Sequence, residues 1–78
     1  MYKNKIIVIS GSSGLIGDKI KKYFLLQGAK VIGLDINKID DNTIKCDITN
    51  EISVKKSFKL ILKKYKNIDL LINNASRN

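Results

Sequence analysis

An apolar run that ends in a cluster of glycines constrains the fold of this chain more than any other feature. Residues 5–10, KIIVIS, are rich in β-branched side chains, which is typical of a strand buried on both faces of a parallel sheet. Glycines follow at positions 11, 14 and 17, within SGSSGLIG. Apolar residues then recur at helical spacing, at Ile16, Ile20, Tyr23 and Phe24. The sequence predicts a strand, a tight turn and a helix, in that order.

A glycine turn between a strand and a helix is suited to binding phosphate groups. Backbone N–H groups and the helix dipole favour negative charge at a helix N-terminus. Gly11 can form the tight turn, Gly14 can let a pyrophosphate approach the backbone, and Gly17 can let the helix pack against the strand. The phosphate loop of NTPases is excluded, because it requires Lys and then Ser or Thr after its last glycine. Here Gly17 is followed by Asp18 and Lys19.

The rest of the chain continues the alternation of strands and helices. Strands are predicted over residues 29–35, 44–47 and 68–74. A second helix is predicted between the last two of these strands, with Thr49 or Asn50 as its N-cap. Gly28 has the place of a glycine that ends a helix. Residues 36–43 are too few for a helical crossover, so an extended loop is expected there.

This order of elements predicts an α/β fold. We expect a Rossmann-type three-layer arrangement, with four parallel strands in the order 3-2-1-4 and one helix on each face. Strands one and four are neighbours in that order, and ligands bind where the crossover direction reverses between them. The segment NNAS, residues 73–76, is therefore expected at the same crevice as the glycine turn.

Two acidic residues at predicted strand ends suit the same crevice. Asp35 lies 18 residues after Gly17, where dinucleotide folds hold the 2′-hydroxyl of the adenosine ribose. A carboxylate accepts that hydroxyl and repels a 2′-phosphate, which favours NAD over NADP, although Lys38 could assist a phosphate. Asp47 lies at the end of the third strand, where it could meet an adenine. On chemistry alone, Asp35 could instead cap a turn and Asp47 could cap the next helix.

Composition argues against several other functions. The net charge is +8, but most of the lysines fall on two predicted amphipathic helices and are expected to form solvated faces. With no recognition motif and 6% aromatic residues, a nucleic-acid partner is not expected. Histidine is absent and Cys46 is the one cysteine, so neither a disulfide nor a metal site is expected. No apolar stretch approaches the ~18 residues of a membrane span, so no membrane partner is expected and the cytoplasm is the expected location.

Four segments in this order resemble the short-chain dehydrogenase/reductase family: SGSSGLIG, the LD that ends at Asp35, the CDIT around Asp47, and LLINNA. The resemblance covers essentially the whole chain and matches the N-terminal part of a typical member. It implies that residues 1–78 are an incomplete NAD(P)-binding Rossmann domain of an oxidoreductase. Two departures are Ser76, in place of the usual glycine, and the missing helix at residues 36–43.

The resemblance implies a role for each matching position. The dinucleotide loop would consist of Gly11, Ser12, Ser13, Gly14, Leu15, Ile16 and Gly17. Asp35 would hold the adenosine ribose, and Asp47 would contact the adenine together with the backbone of Ile48. The last motif would steady the central sheet and line the ribose side of the cofactor, through Asn73, Asn74 and Ala75.

The catalytic residues of the family are missing from the sequence. The family uses a serine and a tyrosine with a lysine four residues later, but Tyr2, Tyr23 and Tyr65 lack that lysine. We therefore expect no turnover from residues 1–78 alone. The alternative is a truncated remnant with weak or no nucleotide binding. The glycine spacing also resembles the branch that contains nucleotide-sugar epimerases and dehydratases.

The predicted fourth strand has a consequence for assembly. In the family a fifth strand would pair with its outer side. Without that strand, residues 68–74 present an apolar edge that can pair with another chain. The sequence therefore predicts low stability or self-association through this edge.

Overall fold

The computed structural model describes residues 1–37 and 40–74, which contain two helices and four strands. The elements are β1 (Ile6–Ser10), α1 (Leu15–Leu26), β2 (Lys30–Asp35), β3 (Thr43–Lys45), α2 (Glu51–Tyr65) and β4 (Leu70–Asn73). Their order agrees with the prediction. The third strand was predicted over residues 44–47 and is observed over Thr43–Lys45. The chain leaves the sheet after Cys46, whose N–H still donates to the Asp35 carbonyl. Asp47 therefore follows the strand and is not part of it.

The sheet has the predicted topology. Its order is β3-β2-β1-β4, and each of its three strand pairs is parallel. In the register, Ile9 of β1 lies opposite Gly33 of β2 and Ile72 of β4. Gly33 in turn lies opposite Thr43 of β3. This arrangement brings the carboxyl ends of all four strands to one edge of the sheet.

Each face of the sheet is covered by one helix, which confirms the three predicted layers. All five residues of β1 are buried, and successive side chains point to opposite faces. One cluster lies beneath α1 and contains Ile7, Ile9, Phe24, Ala29 and Val31. The other lies beneath α2 and contains Ile6, Val8, Ile32, Leu34, Cys46 and Ile61. The predicted burial of this strand on both faces is therefore correct.

The helix ends show how local chemistry stops each helix. Gly28 follows the last turn of α1 with φ +85°, a left-handed conformation that suits glycine. At the start of α2, the side chain of Asn50 accepts a hydrogen bond from Ser53 N–H at 3.0 Å. Asn50 is thus the N-cap, which settles the choice between Thr49 and Asn50.

The crossover from β2 to β3 has no helix at the residues described, 36, 37 and 40–42, as expected. Asp40 organises it: its carboxylate accepts from Asn42 N–H at 3.0 Å and from the Thr43 hydroxyl at 2.8 Å. The same carboxylate forms an ion pair with Lys21 of α1, with 2.5 Å between Nζ and Oδ2. Lys38, which could assist a phosphate, lies outside the described residues.

The outer edge of β4 has no paired strand in the part of the chain that the structure describes. Leu70 and Leu71 on this strand are 37% and 51% exposed. The exposed apolar edge that the sequence predicts is therefore present. Neither described helix is long and apolar enough to cross a membrane.

Gly33 provides space for the glycine turn. A Cβ atom at this position would lie 2.1 Å from Ser12 Oγ and 2.7 Å from Ser12 Cβ. The Ser12 side chain is fully buried here, and its hydroxyl has no hydrogen-bond partner within the described residues. The Ser12 side chain of the turn therefore packs into the space beside Gly33 of β2, and this contact interlocks the turn with the strand.

We expect Gly33→Ala to lower the free energy of unfolding by ~1–3 kcal/mol, the usual cost of overpacking. Chemical denaturation would measure the change. Adding Ser12→Gly should recover much of the loss, since the two nearest atoms belong to the Ser12 side chain. Gly14→Ala is the control, because a Cβ there would lie 3.7 Å from its nearest neighbour. Equal stability of Gly33→Ala and Gly14→Ala would contradict the interlock.

Candidate functional site

A cavity of about 810 Å³ opens at the carboxyl ends of the strands. One wall comes from the glycine turn and the start of α1, through Gly11, Ser13, Gly14, Leu15 and Ile16. The facing wall comes from the ends of β2 and β3, and Asn74 adds the end of β4. The cavity therefore lies beside the ends of the neighbouring strands β1 and β4, where the sequence predicts a crevice.

Gly11 and Gly14 of the turn are glycines for different physical reasons. Gly11 has φ +71°, a left-handed conformation, and its N–H donates to the Leu34 carbonyl at 2.8 Å. Gly14 is the N-cap of α1 with φ −76°, which any residue can adopt, and a Cβ there would meet nothing closer than 3.7 Å. Neither backbone conformation nor packing within the protein requires glycine at position 14. The missing side chain leaves the start of α1 open to the cavity.

Gly17 and Ser12 belong to the turn but do not line the cavity. A Cβ at Gly17 would lie 2.2 Å from the Gly11 carbonyl oxygen and 2.9 Å from Asn74 Nδ2. Gly17 therefore permits the close approach of α1 to the turn. The Ser12 side chain points into the protein against Gly33, so only its backbone belongs to the loop that faces the cavity.

Asp35 is held at the end of β2 by two backbone donors. Its Oδ2 accepts from Ser13 N–H and its Oδ1 from Asn37 N–H, both at 2.9 Å. Burial raises the pKa of Asp35, but hydrogen bonds from the Ser13 side chain and from the Asn37 and Ser13 backbones outweigh it and leave the pKa below its ordinary value. An ionised carboxylate thus lines the cavity. The bond to Asn37 shows that Asp35 also caps a turn.

Asp47 lines the cavity two residues beyond β3. Its Oδ1 accepts from Thr49 N–H at 3.0 Å and from the Thr49 hydroxyl at 2.6 Å. The N-cap alternative for Asp47 is wrong, because Asn50 caps α2. Ile48 also lines the cavity.

Several residues of the facing wall were not predicted, namely Leu34, Ile36, Cys46 and Thr49. Ile36 and Ile48 are 57% and 38% exposed. These values are high for isoleucine, which is usually buried in folded proteins. The sequence does carry a signal for them, since Asp-Ile occurs at the end of β2 and again after β3. The other three offered no signal beyond their place near these motifs.

The end of β4 is joined to the glycine turn by side-chain hydrogen bonds. The Ser10 hydroxyl donates to Asn73 Oδ1 at 2.9 Å and accepts from Asn74 N–H at 3.1 Å. Asn74 Nδ2 donates to the Gly11 carbonyl at 3.2 Å. Asn74 lines the cavity and Asn73 does not, while Ala75 lies outside the described residues.

The cavity offers a helix N-terminus that favours negative charge, a carboxylate that accepts hydrogen bonds and several apolar side chains. The described residues contain no group of three or more His, Cys, Asp or Glu that could hold a metal ion.

Comparison with known proteins places this geometry in a family. A family profile described as short chain dehydrogenase matches residues 5–78. "Short-chain dehydrogenase reductase 3c" of Arabidopsis thaliana is 31% identical over 94% of this chain and 33% of its own length. The ligand-free aldohexose dehydrogenase of Thermoplasma acidophilum superimposes with a TM-score of 0.90, at 37% identity, over 96% of this chain and 31% of that one.

A second solved structure contains a cofactor. The short chain dehydrogenase of Leptospira borgpetersenii with bound NAD⁺ gives a TM-score of 0.86 at 32% identity, over 97% of this chain and 33% of that one. The chain spans about a third of the length of the relatives it matches. Because the family profile covers residues 5–78 and the fold agrees, this chain belongs to the short-chain dehydrogenase family.

Proposed function

We propose that this chain binds the adenosine half of NAD and forms the cofactor-binding part of a short-chain oxidoreductase. Gly14 is the observation that carries the proposal. It is a helix N-cap whose missing side chain serves neither backbone conformation nor packing. A pyrophosphate at the start of α1 would use that space and the N–H groups of the first turn.

The other residues of the cavity fit the remaining parts of an adenosine. Each oxygen of Asp35 accepts one backbone hydrogen bond, which leaves further lone pairs for ribose hydroxyls. Ile36 and Ile48 offer apolar surface to the faces of an adenine, and Asp47 with the Ile48 backbone lies at its edge. When bound, NAD would supply the nicotinamide that accepts or donates a hydride.

The preference for NAD over NADP follows from the charge of Asp35. Its low pKa keeps the carboxylate ionised at neutral pH, and that charge repels a 2′-phosphate. The relative from Leptospira borgpetersenii holds NAD⁺, which supports the same cofactor here.

Residues 1–78 are proposed to have no dehydrogenase turnover alone, because the sequence lacks a Tyr-x-x-x-Lys motif. The second candidate, a chain that binds nucleotide weakly or not at all, stays a prediction from the sequence. An epimerase or dehydratase role for the whole protein rests on glycine spacing alone. The cytoplasmic location and the absence of nucleic-acid and membrane partners stay predictions from the sequence.

We expect NAD to bind the chain more tightly than NADP does. We also expect the substitution Gly14→Val to weaken NAD binding by about tenfold or more. The valine side chain would occupy the space of the pyrophosphate, and its Cβ would lie 3.7 Å from the nearest atom of the protein. Isothermal titration calorimetry would measure the dissociation constants, with far-UV circular dichroism to follow folding. Leu26→Val, at the exposed far end of α1, is the control and should bind like the parent. Equal NAD affinities of the parent and Gly14→Val would refute the site, and no NAD binding by the parent would favour the remnant.

The ionised state of Asp35 has a consequence for stability. Its pKa in the folded protein lies below the value of about 3.9 for an unperturbed Asp, so its stabilising effect is present above about pH 4 and is lost as the pH falls through the folded pKa. We expect urea denaturation between pH 7 and pH 3 to show a smaller loss of stability in Asp35→Asn than in the parent. Leu26→Val, which changes no ionisable group, is the control and should keep the parental pH dependence. If Asp35→Asn loses as much stability as the parent between pH 7 and pH 3, Asp35 is not stabilised in its charged form.

We also propose that the edge of β4 causes the chain to associate with itself. Sedimentation equilibrium should show a mass that rises with concentration, because strand edges with apolar side chains pair readily. Leu71→Lys should shift the chain towards monomer, since a charge on an edge strand opposes pairing. Leu26→Lys, on the exposed end of α1, is the matched control and should associate like the parent. A monomer mass at all concentrations, with cooperative melting, would exclude association.

A further inference from the structure

Part of the cavity wall that faces the glycine turn comes from residues 46–49, which follow β3 directly. β3 is only three residues long, it lies at the edge of the sheet, and no helix precedes it at the described residues of the crossover. Hydrogen bonds from Cys46 N–H to the Asp35 carbonyl and from Asp47 N–H to Ser53 Oγ hold two of these residues directly. The placement of residues 46–49 otherwise depends on the support that β3 receives.

A network of three side chains supplies that support. Lys21 Nζ of α1 lies 2.5 Å from Asp40 Oδ2, and the Lys21 side chain is only 12% exposed. Asp40 Oδ1 accepts from the Thr43 hydroxyl at 2.8 Å, and the Asp40 carbonyl accepts from Thr43 N–H at 3.2 Å. Thr43, the first residue of β3, is buried. We call these residues the Lys21–Asp40–Thr43 network.

The other ion pairs of the described residues differ from this one. Lys22 with Asp18 and Lys55 with Glu51 each join residues four apart on one helix, and both lysines are largely exposed. Exposed pairs of this kind contribute little to stability. The Lys21–Asp40 pair instead joins α1 to the crossover, and its lysine is largely removed from water.

The network connects the two walls of the cavity. Lys21 lies one helical turn after Gly17, so it is on the helix that packs against the glycine turn. Thr43 leads through β3 to the facing wall. The distance between the two walls therefore depends on α1, on the Lys21–Asp40 ion pair and on β3. The fit of a ligand that contacts both walls depends on the same three features.

We propose that Lys21 and Asp40 are positioning residues for the adenosine half of the cofactor, acting through Thr43 on the wall formed by residues 46–49. This inference rests on the proposed NAD function. Neither side chain lines the cavity, so neither is expected to contact the ligand. Their effect is to hold the adenine wall at a fixed distance from the phosphate turn.

The test compares AMP and NAD binding in Lys21→Met and Asp40→Asn by calorimetry. AMP contains the adenosine and one phosphate, so it reports on both walls without the nicotinamide. If the variants acted only through overall charge, they would change the affinity for this anion in opposite directions, because one removes a positive charge and the other a negative one. Positioning predicts that both weaken AMP and NAD binding, by about fivefold or more.

Matched variants separate positioning from general effects. Lys22→Met removes the same charge from the neighbouring exposed residue and should bind AMP like the parent. The double variant Lys21→Met/Asp40→Asn should be no weaker than the weaker single variant, because the residues act as a pair. The exchanged pair Lys21→Asp/Asp40→Lys should recover part of the affinity. Circular dichroism would follow folding, and if Lys21→Met fails to fold, Asp40→Asn alone decides.

Each outcome has a distinct meaning. Weaker AMP binding in both folded single variants, with no loss in Lys22→Met, supports the inference. Parental affinity in Asp40→Asn, or opposite changes in the two single variants, overturns it and leaves the proposed NAD function intact. Absence of AMP and NAD binding by the parent overturns both proposals together.

Discussion

The approach of α1 to the Gly11 carbonyl is the contact on which the rest of the site depends. Only a glycine at position 17 permits it, since a Cβ there would lie 2.2 Å from that oxygen. The same carbonyl accepts from Asn74 Nδ2, so the turn, the helix and the end of β4 meet at one atom. This contact leaves the N-terminus of α1, with its bare N-cap Gly14, directed at the cavity.

The two walls of the cavity are held by different means. The wall at the glycine turn consists of residues close together in the sequence, and Asp35 ties it to β2 through Ser13. The facing wall lies partly beyond a short edge strand, whose first residue belongs to the Lys21–Asp40–Thr43 network. The described residues of the crossover that leads to β3 form no helix, and side-chain contacts join α1 to that strand. Under the proposed function, residues that do not line the cavity would therefore affect ligand binding.

Much of the fold was predictable because its signals are local. The period of apolar residues identified the strands and helices, and the topology rules for parallel sheets gave the order 3-2-1-4. The glycine spacing and Asp35 marked the site, since turns and strand ends carry characteristic residues. Gly28 is a similar case, because a left-handed conformation after a helix favours glycine wherever the helix is placed.

Other features needed the three-dimensional structure. Ser12 belongs to the glycine motif, but its side chain is buried against Gly33, a residue of another strand. The pairing of Lys21 with Asp40 likewise depends on atoms that folding brings together. The linear pattern thus determined the order of elements and the residues at the strand ends, because these follow from local periodicity and backbone conformation. Side-chain direction and partners were decided only by tertiary packing, because they depend on distances between residues far apart in the chain.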